Sequence, residues 1–260
     1  MARTVDGLST HTACPAGRLR QAGDVVTDGS HQFTTLGASH LTALAVFLIL
    51  CWPLVVLGRR QRVTGDDLRF RRAFAVAIPL FTIPMQALQF TPSEWDLDTS
   101  LPLQICDFAW VVAVYALWTG RRWAASVNWL WGTTLTLQGM ITPDLGSGWA
   151  EPRFWMFWGM HALIVWSAIY LVWGLRITPR WRDYRLTVAL TTLWAAAAMT
   201  FNAIVGTNYG YLNGKPHRAS VLDALPAWPT YVVIEVLVVS AVWALMTWLW
   251  VRRPQPPVAP

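Results

Sequence analysis

Cys106 and Asp107 stand near the head of an apolar run, Leu101-Pro102-Leu103-Gln104-Ile105-Cys106-Asp107-Phe108-Ala109-Trp110, where hydrocarbon should begin. A cysteine acts as a nucleophile through its thiolate, and needs a nearby base that titrates near neutrality. His161, preceded by Phe157-Trp158-Gly159-Met160, supplies such a base from a different apolar run. The pair suits acyl transfer through a thioester, with His161 moving protons. The bland alternatives are an inert buried thiol and a histidine that only bonds a neighbouring helix.

The other polar residues fall into place around these two. A buried carboxylate costs several kcal/mol unless it is paired, protonated or hydrated. Asp107 therefore orients His161, pairs with Arg153 or Lys215, or, in the bland alternative that Glu235 shares, only specifies the fold. Glu235 is a second acid/base, a proton relay or a protonated hydrogen-bond donor. Gln138 and Asn202 are lining groups, or glue between helices. Gly206-Thr207-Asn208-Tyr209-Gly210-Tyr211 ends an apolar run and leads to Lys215. That stretch reads as a loop capping the site and offering a cation to a phosphate headgroup, against an ordinary turn with interfacial tyrosines. Zinc would need three donors, for which Cys106, His161 and Glu235 are the available set. With no HxxxH or HExxH spacing, neither a metal nor another cofactor is expected.

The elements that must position these groups are membrane helices. The chain has 260 residues, 55% of them hydrophobic and 13% charged, whereas soluble domains carry about a quarter charged residues. Its mean hydropathy is +0.38 and its 18 tryptophans suit a protein with two interfaces to anchor. The net charge of +6 sits in short loops between apolar runs, not on one surface, which excludes nucleic acid as a partner. Three cysteines make no paired framework, and a Cys14–Cys106 bridge is disfavoured by the depth of Cys106. Residues 1–33 lack an apolar core and read as a disordered tail, and Pro254 to Pro260 as a solvated one.

Seven apolar runs, at 36–58, 73–90, 101–119, 124–142, 153–175, 186–206 and 228–250, approach the length that crosses a bilayer. They are too long and too uniformly apolar for barrel strands. The expected fold is all-α, a polytopic bundle of seven transmembrane helices over 34–251. Arginines crowd alternate connections: Arg59 to Arg72, Arg121 and Arg122, Arg176 to Arg185, then Arg252 and Arg253. This alternation puts the N-terminus outside and the C-terminus in the cytoplasm. Counted at 1.5 Å per residue, Cys106 lies roughly 8 Å, His161 roughly 14 Å and Glu235 roughly 10 Å below the outer boundary. Gln138 and Asn202 lie roughly 6 Å below it, and His40 at the boundary itself. Every ionisable residue within the spans thus falls in the outer half. The reading is one polar cavity, open outward, faced by Cys106 and His161 with Glu235, Asn202 or Gln138 on its walls.

Several ordered motifs resemble the YwaF-like family of bacterial integral membrane proteins. They are Leu101 to Asp107, the Gln138-to-Leu145 run with its Thr-Pro-Asp, Trp158-Gly159-Met160-His161, and Gly206 to Leu212 followed by Lys215-Pro216. Leu222-Asp223, Trp228-Pro229, Tyr231 and the Phe33-to-Leu41 start with His40 fit as well, so the resemblance spans about residues 33–250. That family is similar to a eukaryotic multispanning acyltransferase that remodels phospholipids through an essential cysteine. The resemblance implies a bacterial plasma membrane, Cys106 as nucleophile, His161 as base, and a phospholipid or lysophospholipid partner. Gln104 departs from the pattern, since many relatives carry His there.

A transporter or small-molecule receptor would use the same cavity for binding only. It should show an inverted repeat or broken helices with sites at the midplane, and this sequence shows no repeat. A purely structural protein would leave the segregation of polar residues unexplained. The orientation is directly testable. Single cysteines introduced at 91–100 should react with an impermeant thiol reagent added to intact cells, and one near Arg180 should not. The reverse labelling pattern would place the cavity on the cytoplasmic side.

Overall fold

A computed structural model describes residues 33–216 and 220–253. Most of the N-terminal tail with Cys14, the residue Arg218 and the Pro-rich end lie outside the described residues. The described residues fall in one compact unit, within His31–Pro260, and contain helices and no strand.

Eight α-helices make seven rods: α1 (Ala38–Thr64), α2 (Leu68–Leu88), α3 (Ile105–Thr119), α4 (Arg122–Trp131), α5 (Leu137–Ile141), α6 (Pro152–Ile169), α7 (Trp181–Val205) and α8 (Thr230–Val251). A π turn at Gly132–Thr136 joins α4 to α5 as one rod, and another, Tyr170–Gly174, extends α6. Four segments are long and apolar enough to cross a membrane: α1, Pro152–Gly174, α7 and α8. The apolar helix α3 is shorter. Its start is set by local chemistry. Pro102 favours extended backbone before it, and the Asp107 carboxylate accepts the Gln104 N–H at 2.9 Å. Proline at the first helical position likewise opens α6.

The arginines expected in the first loop stand on helices. α1 runs on through Arg59, Arg60 and Arg62, and α2 already contains Arg69, Arg71 and Arg72. The connection is only Gly65–Asp67, with Gly65 left-handed at φ 73°. Helical hydrogen bonding does not stop where hydropathy falls, so charged residues continue the helix beyond the apolar part. For the same reason α7 begins at Trp181 and includes Asp183, ahead of the expected start at 186.

The rod Pro152–Gly174 is the centre of the bundle. Of its most apolar stretch 67% is buried, against 17% in α1 and 11% in α7 and α8, so the latter helices carry the outward apolar surface. α6 packs on α1, α2, α3, α4 and α5. Where helices pass one another in an apolar medium, close backbone approach replaces hydrophobic drive. The tightest approach is between α1 and the end of the central rod. A Cβ on Gly58 would lie 2.7 Å from the Gly174 Cα, and one on Gly174 would lie 3.0 Å from the Gly58 Cα. Buried polar groups bridge other rods: Asn128 Nδ2 donates to Ser167 Oγ at 2.8 Å, and Trp243 Nε1 to Thr134 Oγ1 at 2.9 Å.

Gly58→Leu should force these backbones apart. The expected cost is about 1–3 kcal/mol, the range for overpacking, seen as a lower unfolding temperature of the detergent-purified protein. An unchanged unfolding temperature would show that the α1 contact is not structural.

Candidate functional site

One cavity of about 550 Å³ gathers walls from α2, α3, α5, α6, α7 and α8. Its size is that of a small-molecule or lipid-chain pocket. Apolar side chains dominate the lining, with a few convergent polar ones. Cys106, His161, Asp107, Gln138 and Glu235 all line it.

Cys106 is buried on the first turn of α3, and its thiol donates to the Thr136 hydroxyl at 3.8 Å. Thr136 closes the π turn of the fourth rod, a distortion that often marks functional positions. His161 sits beside the next turn of that rod. A Cβ on Gly139 would lie 3.6 Å from His161 Nε2. Residues three apart share one helical face and differ by about 5 Å in height, so thiol and imidazole approach one face within a single turn. His161 Nδ1 lies 2.6 Å from the Phe157 carbonyl oxygen. A carbonyl only accepts, so Nδ1 carries the proton and Nε2 keeps its lone pair. The Phe157 ring stacks on the imidazole at 4.2 Å and fixes its plane.

Asp107 does not pair with Arg153 or Lys215. Its carboxylate closes the start of α3 on Gln104 N, and the ion pair seen among the described residues is Arg71–Asp67. The first turn of a helix has unpaired N–H groups, and a carboxylate three residues inside is the nearest acceptor. Glu235 has no hydrogen-bond partner among the described residues, and Gln138 bonds Thr142 at 3.2 Å. The same residues place no three His, Cys, Asp or Glu side chains as a metal-holding group.

Four candidates stand off the cavity wall. Asn202 is buried, and its amide is saturated: Nδ2 donates to Tyr209 O and Asn213 Oδ1, while Oδ1 accepts from Thr207 Oγ1 and Tyr209 N. Asn208 closes the same loop, donating to Gly214 O at 2.7 Å and accepting from Asn213 N at 3.1 Å. Lys215 is not the cation on the cavity wall. Its ammonium donates to Leu225 O at 2.7 Å and stands over the Tyr231 ring, where a carbonyl and a π-face hold it. His40 is buried between Phe33 and Trp158. Leu36 N donates to its Nδ1, so its Nε2 must donate to Met140 O, tying α1 to the end of α5.

The structure gives three further residues a place at the cavity, of which the sequence offers Arg153 only as an ion-pair partner for Asp107. Arg153 is on the wall, donating to Thr99 Oγ1 at 2.9 Å. Tyr211 and Asp144 line the mouth, with the phenol donating to the carboxylate at 3.1 Å. Burial and the Asp144 charge push the Tyr211 hydroxyl up from its ordinary range, so it stays a donor. The two residues lie in separate loops, and only the Thr-Pro-Asp and Gly-Tyr runs hinted at either. Gln104, the departure from the family pattern, has a position of its own. Its Oε1 accepts Gly210 N at 2.9 Å and latches the loop to α3.

Loss of the Asn202 amide leaves buried loop groups unpaired. Asn202→Ala should cost about 1–3 kcal/mol and raise amide exchange across 207–213 ahead of the rods. Uniform exchange across loop and rods would contradict a local role.

No curated protein and no solved structure matches the sequence. The TMEM164 family model matches residues 35–247, which covers six rods, all but the last turn of α8, and the residues that line the cavity. With four helices long and apolar enough to cross a bilayer, this chain is a membrane protein and belongs to the TMEM164 family of multispanning proteins.

Proposed function

We propose that the protein is a membrane acyltransferase that carries an acyl group on Cys106 as a thioester. The observation that carries the reading is that the Cys106 thiol and the unprotonated Nε2 edge of His161 abut the fourth rod at positions three residues apart, and that both residues line one cavity. The mostly apolar lining suits an acyl chain, and Arg153 at the wall suits a phosphate headgroup. The similarity of the motifs to YwaF-like proteins, and through them to a cysteine-dependent phospholipid acyltransferase, supports the same reading. We place all seven rods across the membrane, with the N-terminus outside and the cavity opening outward, on the alternation of arginines along the chain.

The chemistry balances within these groups. His161 Nε2 takes the thiol proton, and the sulfur adds to the ester carbonyl of a phospholipid. The tetrahedral oxyanion needs a donor already in place, for which the second N–H of the Gln138 amide is at hand. The carbon–oxygen bond breaks, and the imidazolium returns its proton to the leaving lysophospholipid alkoxide. The acceptor hydroxyl then gives its proton to Nε2 and attacks the thioester; the carbon–sulfur bond breaks, and the imidazolium returns the proton to the departing Cys106 thiolate. Asp107 and Asn202 are positioning residues in this scheme, the first at the start of α3 and the second through the capping loop.

The test is incubation of the purified protein with phospholipid labelled in its acyl chain. Label should stay on the wild type through denaturation and leave with neutral hydroxylamine. Cys106→Ala should carry none, and His161→Ala should acquire it at least about 100-fold more slowly, the usual size of a general-base contribution. Saturable lipid binding without covalent label in any variant would overturn the enzyme reading in favour of a transporter or receptor.

A further inference from the structure

The rods α1, α3, α6 and α8 run in one sense, since each alternates with a rod that returns. Cys106, His161 and Glu235 sit toward their starts, while Arg59, Arg176 and Arg253 sit at or past the ends of three of them. Those ends line a second, open cavity of about 330 Å³, far along the bundle from the first. Its lining pairs the three arginines with Trp129, Trp173 and Trp250.

Three features of this cavity are unexplained by packing alone. Cations collect there without an anion: Arg176 and Arg253 stand over the same Trp250 ring, at 5.4 and 4.8 Å, and no carboxylate is among the described residues that line the cavity. Burial, Arg62, Arg59 and Arg253 all push Arg176 down from its ordinary range. Trp129 is 6% exposed, and its indole N–H has no acceptor among the described residues. A buried donor left unpaired is costly, and each such group calls for an explanation. Finally, Arg176 has φ 63°, the left-handed region that favours glycine, yet the position carries an arginine whose guanidinium reaches the cavity.

A polyvalent oxyanion would account for the gathered cations by neutralising the guanidinium groups, which match phosphate oxygens in pairs. We propose that the cavity lined by Arg59, Arg176, Arg253 and Trp129 is a binding site for a phosphate group, for which the headgroup of an acidic phospholipid and soluble phosphate are the two sources. The site is independent of the chemistry at Cys106. Arginines at the ends of spans also serve as orientation signals, but that role needs only positive charge near the membrane and no cavity.

The test uses the full-length protein purified in a neutral detergent and follows both tryptophan fluorescence and unfolding temperature. The titrants are short-chain phosphatidic acid, the phosphatidylcholine of equal chain length, and inorganic phosphate. Phosphatidic acid should add a saturable change in signal and a rise in unfolding temperature beyond what phosphatidylcholine gives by binding at the Cys106 cavity. Inorganic phosphate saturating at the same concentration would support the site with a soluble source; a requirement for far higher concentration would support the lipid source. The combined variant Arg59→Gln, Arg176→Gln, Arg253→Gln should lose the response. The milder Arg176→Lys and Arg253→Lys keep the orientation charge and should weaken binding about tenfold. Cys106→Ala should bind as the wild type does. No response in the wild type, or an unaltered response in the lysine variants, would overturn the proposal.

Discussion

The four hydrogen bonds of the Asn202 side chain hold together the irregular part of this protein. A chain that leaves helical geometry near an apolar medium must satisfy its own polar groups. α7 stops at Gly206, left-handed at φ 83°, and the groups freed by that stop return to Asn202, one turn back. The loop so formed reaches outward. Tyr209, fully buried, accepts Leu101 N and donates to Leu97 O, and Gly210 N meets Gln104. Trp194 donates to Leu103 O, and Tyr231 to Tyr211 O. The segment before α3, the end of α7 and the start of α8 are thus one hydrogen-bonded assembly. The position of Cys106 at the cavity depends on it.

Two buried histidines show how neighbours decide between structure and chemistry. His40 has both ring nitrogens occupied, by Leu36 N and Met140 O, and is spent on holding α1 against α5. His161 has one nitrogen occupied, by the carbonyl a turn before it on the same helix. Its other edge faces the side of the fourth rod where Gly139 has no side chain to cover it. The residue type is the same, and the remaining lone pair makes the difference.

The bundle has polar work at both ends and uses unlike means. At one end, neutral hydrogen-bonding groups, a few carboxylates and the single cation Arg153 surround a largely apolar cavity. At the other, arginines gather on tryptophan faces, Arg252 over Trp248 at 3.9 Å as well as the pair over Trp250. Between them the rods are joined by side-chain pairs such as Asn128–Ser167 and Trp131–Thr191, with Gly58 and Gly174 allowing the closest approach. Such pairs replace hydrophobic drive where the surroundings are already apolar.

Hydropathy by itself determined the helical class, the seven rods and the set of polar residues worth asking about, because burial in hydrocarbon acts on every residue of a span alike. Loop charge fixed less than it suggested: Arg59 to Arg72 lie on helices, since hydropathy marks the edge of an apolar layer and not the end of a hydrogen-bonded helix. Depth counting grouped Cys106, His161, Gln138 and Glu235, and these do line one cavity, because the rise per residue is nearly constant. It could not separate them from Asn202 or His40, because depth says nothing about which side of a helix faces inward. Nor could it find Tyr211, Asp144 and Arg153, or the Arg59–Arg176–Arg253 group, whose members come from separate segments. Those associations depend on rotation and packing of whole rods, and only the tertiary structure decides them.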